Sequence, residues 1–531
     1  MAQSGVRGKA DPAGAATAAP AGRGPSKGGR RGAPRGRGRR VLRWAAILLA
    51  LVILGSAGAG YLYYQHLNDN ITKGERNGGD DSKVHRTQPD AAGRTPLNIL
   101  LIGSDDRNSD ENVKLGGSKD NRGNPPLGDV QMLIHLSADR ESAAMVSIPR
   151  DTRVAIPKCV DPKTKRVYPP TEGIINTTLA RGGAGCTLAT WQQLTGVYID
   201  HWMTIDFTGV VRMADAVGGV EVCVNQNVWD HSTPAQRGGS GLKLTAGPHK
   251  VKHIQALQWL RTRHAWGSDV MRARAQHMYL NSMIRTLKGQ NVFTDSGRLT
   301  DLAEAATKSL VVSKEIGTVK KLYDLGTQLK SVPADRITSV TMPNVEDPLN
   351  REHVVPQQTG ADRLWEMLRD DVPLDKNGKP AKPKPQPSKT ASLQPSRLGV
   401  AVVNGTGSAS RAAVPGRAAD VRAVLAQGGY DRAATDTSAA LSEDRTVVRY
   451  PSADLEGDAQ GVAKALGIPL SQVERSTDVS GVTVVVGADW RTGTAYPKKA
   501  APKAGDIPAG SDAINGSDTS ACMDVYKPYQ W

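Results

Sequence analysis

NILLIGSDDR (98–107), LGDVQMLIHL (127–136) and AAMVSIPRDTR (143–153) decide how this chain folds. Each holds a short apolar run rich in strand formers and closed by polar or turn residues, the signature of a strand with at least one buried face. Sequential strands are usually neighbours. If these three pair antiparallel, Asp105 just past the first, Asp129 at the start of the second and Arg150 just past the third meet at one edge of the sheet. Outward from this core, HWMTIDFTGVVRMADAVGGVEVCV (201–224) reads as strand, helix, Gly-Gly stop and strand. Residues 278–289, 299–310 and 362–369 read as helices, so 96–372 is an α/β domain.

The flanks are of other kinds. A Pro/Lys-rich spacer, 373–397, leads to a small second α/β domain at 398–490, which opens with LGVAVVNGTG; the low-apolar tail 491–531 is expected to be flexible. Before the first domain, 65–95 reads as a polar stalk. WAAILLALVILGSAGAGYLYY (44–64) has no charge and is long enough to span a bilayer, with aromatics at its end. Ala57-Gly58-Ala59 offers a signal-peptidase alternative, but the apolar run is long for a signal peptide. An uncleaved single-pass anchor is expected, with its basic, disordered tail 1–43 in the cytoplasm and everything after Tyr64 outside.

The formal charge of +16 is mostly this tail. Residues 1–43 hold eleven Lys/Arg against one acid, Asp11, which leaves +6 for the other 488 residues. No basic patch interleaved with aromatics accompanies it, so no nucleic-acid partner is expected. Cys159, Cys186, Cys223 and Cys522 lack metal or CxxC spacing and suit an exported, disulfide-bonded chain. Three pairings are possible. Cys159 with Cys186 is preferred, because the two flank one loop-rich stretch.

The chemistry concentrates in RTRHAWGSDVMRARAQ (261–276), four arginines within fourteen residues. Arg261 and Arg263, two apart in a segment read as extended, point the same way. Ser268 is a helix N-cap, after which Arg272 and Gln276 lie one turn apart on one face, while Arg274 is turned about 200° from Arg272. Surface salt bridges and turn-forming aspartates account for Asp105, Asp129 and Arg150 taken alone. Together with the arginine stretch, two acids beside several guanidinium groups point to a polyphosphate held by a divalent cation and forked arginines. No GxxxxGK[ST] loop and no Ser-His-Asp arrangement is present.

These motifs, with LTGVYIDHWMTIDFTGVVRMADAVGGVEV (194–222) and ALQWLRTRHAWGSDVMRARAQ (256–276), in this order behind one anchor, resemble the LytR-CpsA-Psr family; 398–490 resembles the LytR C-terminal domain. The resemblance implies a central mixed sheet flanked by helices and an apolar pocket for a lipid. It also implies a Mg²⁺-dependent transferase moving a teichoic-acid-like glycopolymer from polyprenyl pyrophosphate to peptidoglycan, with pyrophosphatase as a side activity. On this resemblance Asp105 and Asp129 are the metal acids. Arg150, Arg261, Arg263, Arg272 and Gln276 bind the pyrophosphate, the four arginines being catalytic together with Asp151. Asp151 is assigned to orienting Arg150, because an acid paired with arginine is a weak base. Two positions depart from the pattern. Leu127 stands where the family has an arginine, for which Arg122 is a candidate substitute, and Ala275 stands where members often carry another, with Arg274 displaced by one.

Overall fold

The computed structural model describes residues 37–79, 84, 86–87, 89–90, 92–116, 122–234, 236–289, 296–379, 388–407, 412–438, 443, 445–497 and 502–531. Helix α1 (Arg37–Asn70) contains the one described segment long and apolar enough to cross a membrane, Arg40–Asn70, and its large apolar side chains from Val41 to Leu62 are exposed. The part of the basic tail before residue 37 lies outside the described residues.

The larger domain gives its central sheet β1 (Thr72–Gly74), β2 (Leu97–Ser104), β3 (Gly128–Leu136), β4 (Ala143–Ser147), β5 (His201–Ile205), β6 (Leu310–Ser313) and β7 (Ile337–Thr341), besides several two-stranded ribbons. The second domain supplies β8 (Val400–Asn404), β9 (Ala433–Asp436), β10 (Val447–Tyr450), β11 (Val473–Arg475) and β12 (Val482–Val486), and the tail supplies β13 (Ile514–Asn515). One mixed eight-stranded sheet runs β1-β6-β5-β2-β3-β4-β7-β13. β2, β3 and β4 are antiparallel neighbours, the short connection 137–142 requiring this of β3 and β4 while 105–127 returns β3 beside β2; β2 with β5 and β4 with β7 are parallel.

Alternation along β2 sorts the core. Leu100 and Ile102 face a cluster with Trp191 of α3 (Thr178–Thr195) and Trp365 of α9 (Gln358–Arg369). Ile99 faces the opposite cluster with Met132, Met145, Ile337 and the inner sides of α6 (Asp269–Gly289) and α8 (Val319–Ser331). The second domain has its own sheet, β9-β8-β12-β10-β11, and its own core, to which α10 (Arg417–Gln427) gives Val421 and α11 (Glu456–Leu466) gives Val462.

Three boundaries differ from the sequence reading. The expected stalk, 65–95, joins the fold: Leu67 and Ile71 are buried, β1 pairs with β6, and Arg76 donates to the Ile199 carbonyl at 2.8 Å. The expected linker, 373–397, is docked at both ends. Leu374 is buried and Asp375 pairs with Arg336 at 3.0 Å, while the Ser392 and Leu393 amides donate to Asp458; 380–387 lie outside the described residues. The tail expected to be flexible, 491–531, is built in: β13 adds to β7, Cys522 is bonded to Cys223, and Met523, Val525 and Tyr529 are buried. Its few apolar residues are spaced as docking points, which an average over composition conceals. Cys159 is bonded to Cys186.

Candidate active site

The sheet edge where β2, β3 and β4 end carries the first part of the site. The Asp105 amide donates to the Leu127 carbonyl at 3.1 Å and its Oδ1 accepts the Leu127 amide at 2.7 Å, so Leu127 serves the site through its backbone. Asp129, second residue of β3, accepts Arg150 Nη1 at 3.0 Å; Arg150 Nε donates to Asp151 Oδ2 at 3.2 Å. Asp151 thus braces Arg150 from beside it. Burial raises the pKa of Asp105 above the ordinary carboxylate range, and the neighbouring Asp129 adds to this against the Leu127 amide, Arg107 and Arg150. Burial works against the Arg150 charge, but Asp129, Asp151 and Asp269 outweigh it and raise its pKa.

The opposite wall is the arginine stretch. Arg261 is the last residue of α5 (His253–Arg261), not part of an extended segment, because the helix runs on through Leu260 before Thr262 turns to β geometry. Its guanidinium donates to the carbonyls of Leu115 and Gly116 at 3.1 and 3.2 Å, at the end of α2 (Asp110–Gly116), and lies 4.8 Å from the Phe207 ring. Burial, then repulsion from Arg107, lowers its pKa. Arg263 sits 3.4 Å from Asp269. Ser268 accepts the Met271 amide, the capping bond that aims α6. From that helix Arg272 reaches Asp269 at 3.1 Å, with its Nε buried and without a partner; burial lowers its pKa. Gln276 is anchored by Nε2 to the Leu260 carbonyl at 3.1 Å. Arg274 points away, to Asp512 of the tail.

Asp129, Arg150, Arg261, Arg263, Arg272 and Gln276 line one cleft of about 270 Å³, backed by Leu257, Leu260 and Val210 and by Phe207 of α4 (Phe207–Ala216), a helix on which α7 (Ser296–Ser309) packs. Asp105 is coupled to it through Asp129, and Asp151 through Arg150. One member was missed from the sequence: Arg107, which lines the cleft with its Nε buried and unpartnered. Its signal was its place two residues after Asp105 in the same turn. Arg122 does not substitute for the arginine missing at 127; it pairs with Asp110 on the surface and does not line the cleft. Ala275 is fully buried and its carbonyl accepts Trp259 Nε1 at 3.0 Å, so this position packs the core.

The LytR_cpsA_psr family model matches residues 61–370, more than half of the chain, and the LytR_C model, described as LytR cell envelope-related transcriptional attenuator, matches 397–490. The chain belongs to the LytR-CpsA-Psr family. Relatives include the cell wall biosynthesis protein LcpA of Corynebacterium glutamicum, 27% identical over 331 residues, 58% of this chain and 60% of LcpA. Another is the polyisoprenyl-teichoic acid–peptidoglycan teichoic acid transferase TagT of Bacillus subtilis, 23% identical over 310 residues, 56% of this chain and 87% of TagT. The chain spans 60% of LcpA and 46% of LcpB from the same organism. Among solved family structures, B. subtilis TagV has a TM-score of 0.40 at 22% identity, covering 52% of this chain and 97% of TagV. TagT bound to LIIa-WTA has a TM-score of 0.39 at 18% identity, covering 57% and 98%.

Proposed function

We propose that this chain is a phosphotransferase that moves a glycopolymer from a polyprenyl pyrophosphate carrier to a peptidoglycan hydroxyl outside the membrane. The observation that carries the reading is the convergence of Arg107, Arg150, Arg261, Arg263 and Arg272 on one cleft in which the direct contacts of the Arg261 guanidinium are backbone carbonyls and a ring face, with Asp129 and Asp105 acting on it from further off. Buried guanidinium groups without matching carboxylates favour an anion, and a diphosphate supplies enough oxygens for several forked contacts. The apolar wall behind them suits the first part of the lipid. TagT and its relatives are named as transferases of teichoic acid to peptidoglycan, which supports the same class of donor and acceptor here.

In this mechanism Arg150, held by Asp129 and Asp151, and Arg272, held by Asp269, orient the diphosphate, while Arg107, Arg261 and Arg263 neutralise it, with Gln276 donating from α6. The acceptor hydroxyl oxygen attacks the glycan-side phosphorus and its proton passes to water. The bond to the bridging oxygen breaks, polyprenyl phosphate leaves, and the arginines stabilise the charge on it. Water in place of the sugar hydroxyl gives hydrolysis.

Asp105 and Asp129 would hold Mg²⁺. Their fit rests on two close carboxylates, one of them raised in pKa, whose repulsion a dication relieves. No cluster of three or more His, Cys, Asp or Glu suited to a metal exists among the described residues, so the ion's remaining ligands would have to come from phosphate and water. The ion would act as a Lewis acid on the phosphate oxygens. Two disulfides using all four cysteines support placement of the domains on the oxidising side, with α1 as anchor.

Full-length protein in detergent, given a polyprenyl pyrophosphate-linked oligosaccharide, should release polyprenyl monophosphate with Mg²⁺ and not with EDTA. Donor binding without release under both conditions would make the chain a lipid-binding envelope protein instead.

A further inference from the structure

The tail places an aromatic surface against the cleft. Among the described residues beyond Tyr64, the exposed large aromatic side chains are Trp229, Tyr323, Tyr526 and Trp531, and all but Tyr323 lie in one patch. The pairs form a chain of ring contacts that passes beneath the surface at the buried Tyr529. Lys243 Nζ sits 4.4 Å from the Trp531 ring and 4.7 Å from the Trp229 ring; Trp229 stacks on His231 at 4.3 Å; His231 lies 5.8 Å from Tyr529. Tyr529 lies 6.4 Å from Tyr526 and 6.1 Å from His264, and His264 lines the cleft beside Arg263. Three of the six rings, Tyr526, Tyr529 and Trp531, come from the last ten residues. They are held by the Cys223–Cys522 bond, by Trp531 Nε1 donating to the Val228 carbonyl at 3.1 Å, and by the Tyr526 amide donating to the Ala265 carbonyl at 2.8 Å.

We propose that this patch binds a glycan strand of N-acetylhexosamine rings and delivers it to the cleft as the acceptor, an assignment that rests on the transferase reading above. A pyranose has an apolar C–H face, which stacks on an aromatic ring, and a hydroxyl edge, which needs polar neighbours. The patch offers both. Its exposed apolar groups are indole and phenol rings, while the aliphatic residues in the same segments, Val228, Leu242, Leu244 and Val525, are buried. Around them stand Gln236, which accepts Tyr529 Oη, and Asn227, which donates to the Trp531 carbonyl. A surface built to enter a bilayer would expose aliphatic side chains as well, and in the described parts of 225–244 and 522–531 none is exposed. Rigid amphipathic rings lose little conformational freedom on binding, which suits repeated sugar units.

The test titrates full-length protein in detergent with a soluble β-1,4-linked N-acetylhexosamine hexamer by calorimetry, with no donor present. Trp229→Ala and Trp531→Ala should each weaken binding about tenfold, the scale of losing one stacking ring, and Trp→Tyr at the same positions should restore it to within about threefold. Tyr323→Ala should bind as the parent does. A measurement needing no variant accompanies this: the hexamer should protect Trp229 and Trp531, but not Trp44, from N-bromosuccinimide oxidation read by peptide mass. Absence of saturable binding, unchanged affinity in both alanine variants, or no protection overturns the proposal. So does binding to phosphatidylglycerol vesicles that depends on the two indoles while the hexamer does not bind. Hexamer binding without donor cleavage would remove the transferase reading but leave the glycan site; cleavage without hexamer binding would do the reverse.

Discussion

Arg261 and Arg274 show how far two arginines in one stretch can differ. Arg261 is enclosed by α2, α4 and α5 and forms no ion pair among the described residues, Asp129 and Asp105 only partly offsetting its burial, whereas Arg274 is paired with Asp512 outside the cleft. Alanine at Arg107, Arg261 or Arg272 should therefore lower donor cleavage by about 10² or more, the cost of losing a group that stabilises transition-state charge. Arg274→Ala should cost less than about tenfold and act chiefly on thermal stability. Initial rates and melting temperatures on the same samples decide the comparison. Asp105 gives a prediction of opposite sign for stability and activity. Its pKa is raised in the folded state, so its contribution is favourable below the unfolded pKa and is lost as pH rises through the folded value. At neutral pH the ionised group opposes folding, so Asp105→Asn should raise the melting temperature without metal and abolish the further rise that Mg²⁺ causes in the parent. Activity should decline as pH falls through that raised value. An unchanged melting temperature in both comparisons would mean that Asp105 is neither strained nor a metal ligand.

Among the elements, the tail departs most from its composition. β13 covers the edge of β7, and the Cys223–Cys522 bond closes a separation of 299 residues. A covered edge cannot recruit another chain. Loop-closure entropy alone makes a bond across so long a loop worth about 5–6 kcal/mol. Replacing both cysteines by serine should lower the denaturant midpoint accordingly, and a double variant at Cys159 and Cys186, which are 27 residues apart, should lower it less. Equal midpoints in the two variants would show that strain or residual structure outweighs loop length. At this scale β2, β3, β4 and the capped start of α6 were legible, because apolar runs and an N-cap are local signals. The helical end of α5 was not, since its last turn is held by tertiary contacts of Arg261 and Gln276 that no window of sequence contains.

For the whole molecule, the anchor reading predicts that mature protein retains 44–64 and stays with membranes after high-salt washing; a mature N-terminus at Gly60 would refute it. Membrane-impermeant reagents should reach Lys527 in intact cells if the domains lie outside. The sequence by itself determined the apolar span, the α/β alternation, the two domains, and the residues Asp105, Asp129, Arg150 and Arg272 as partners, because each follows from periodicity, strand order or helix spacing over a few residues. Tertiary structure alone decided that β1 joins the sheet at one edge and the tail at the other, that Leu127 serves Asp105 through its backbone, that Arg107 and not Arg122 lines the cleft, and that Cys223 meets Cys522. The physical reason is common to all four. Burial and pairing are settled between segments far apart in the chain, where a few well-placed apolar or charged side chains outweigh the polar composition around them.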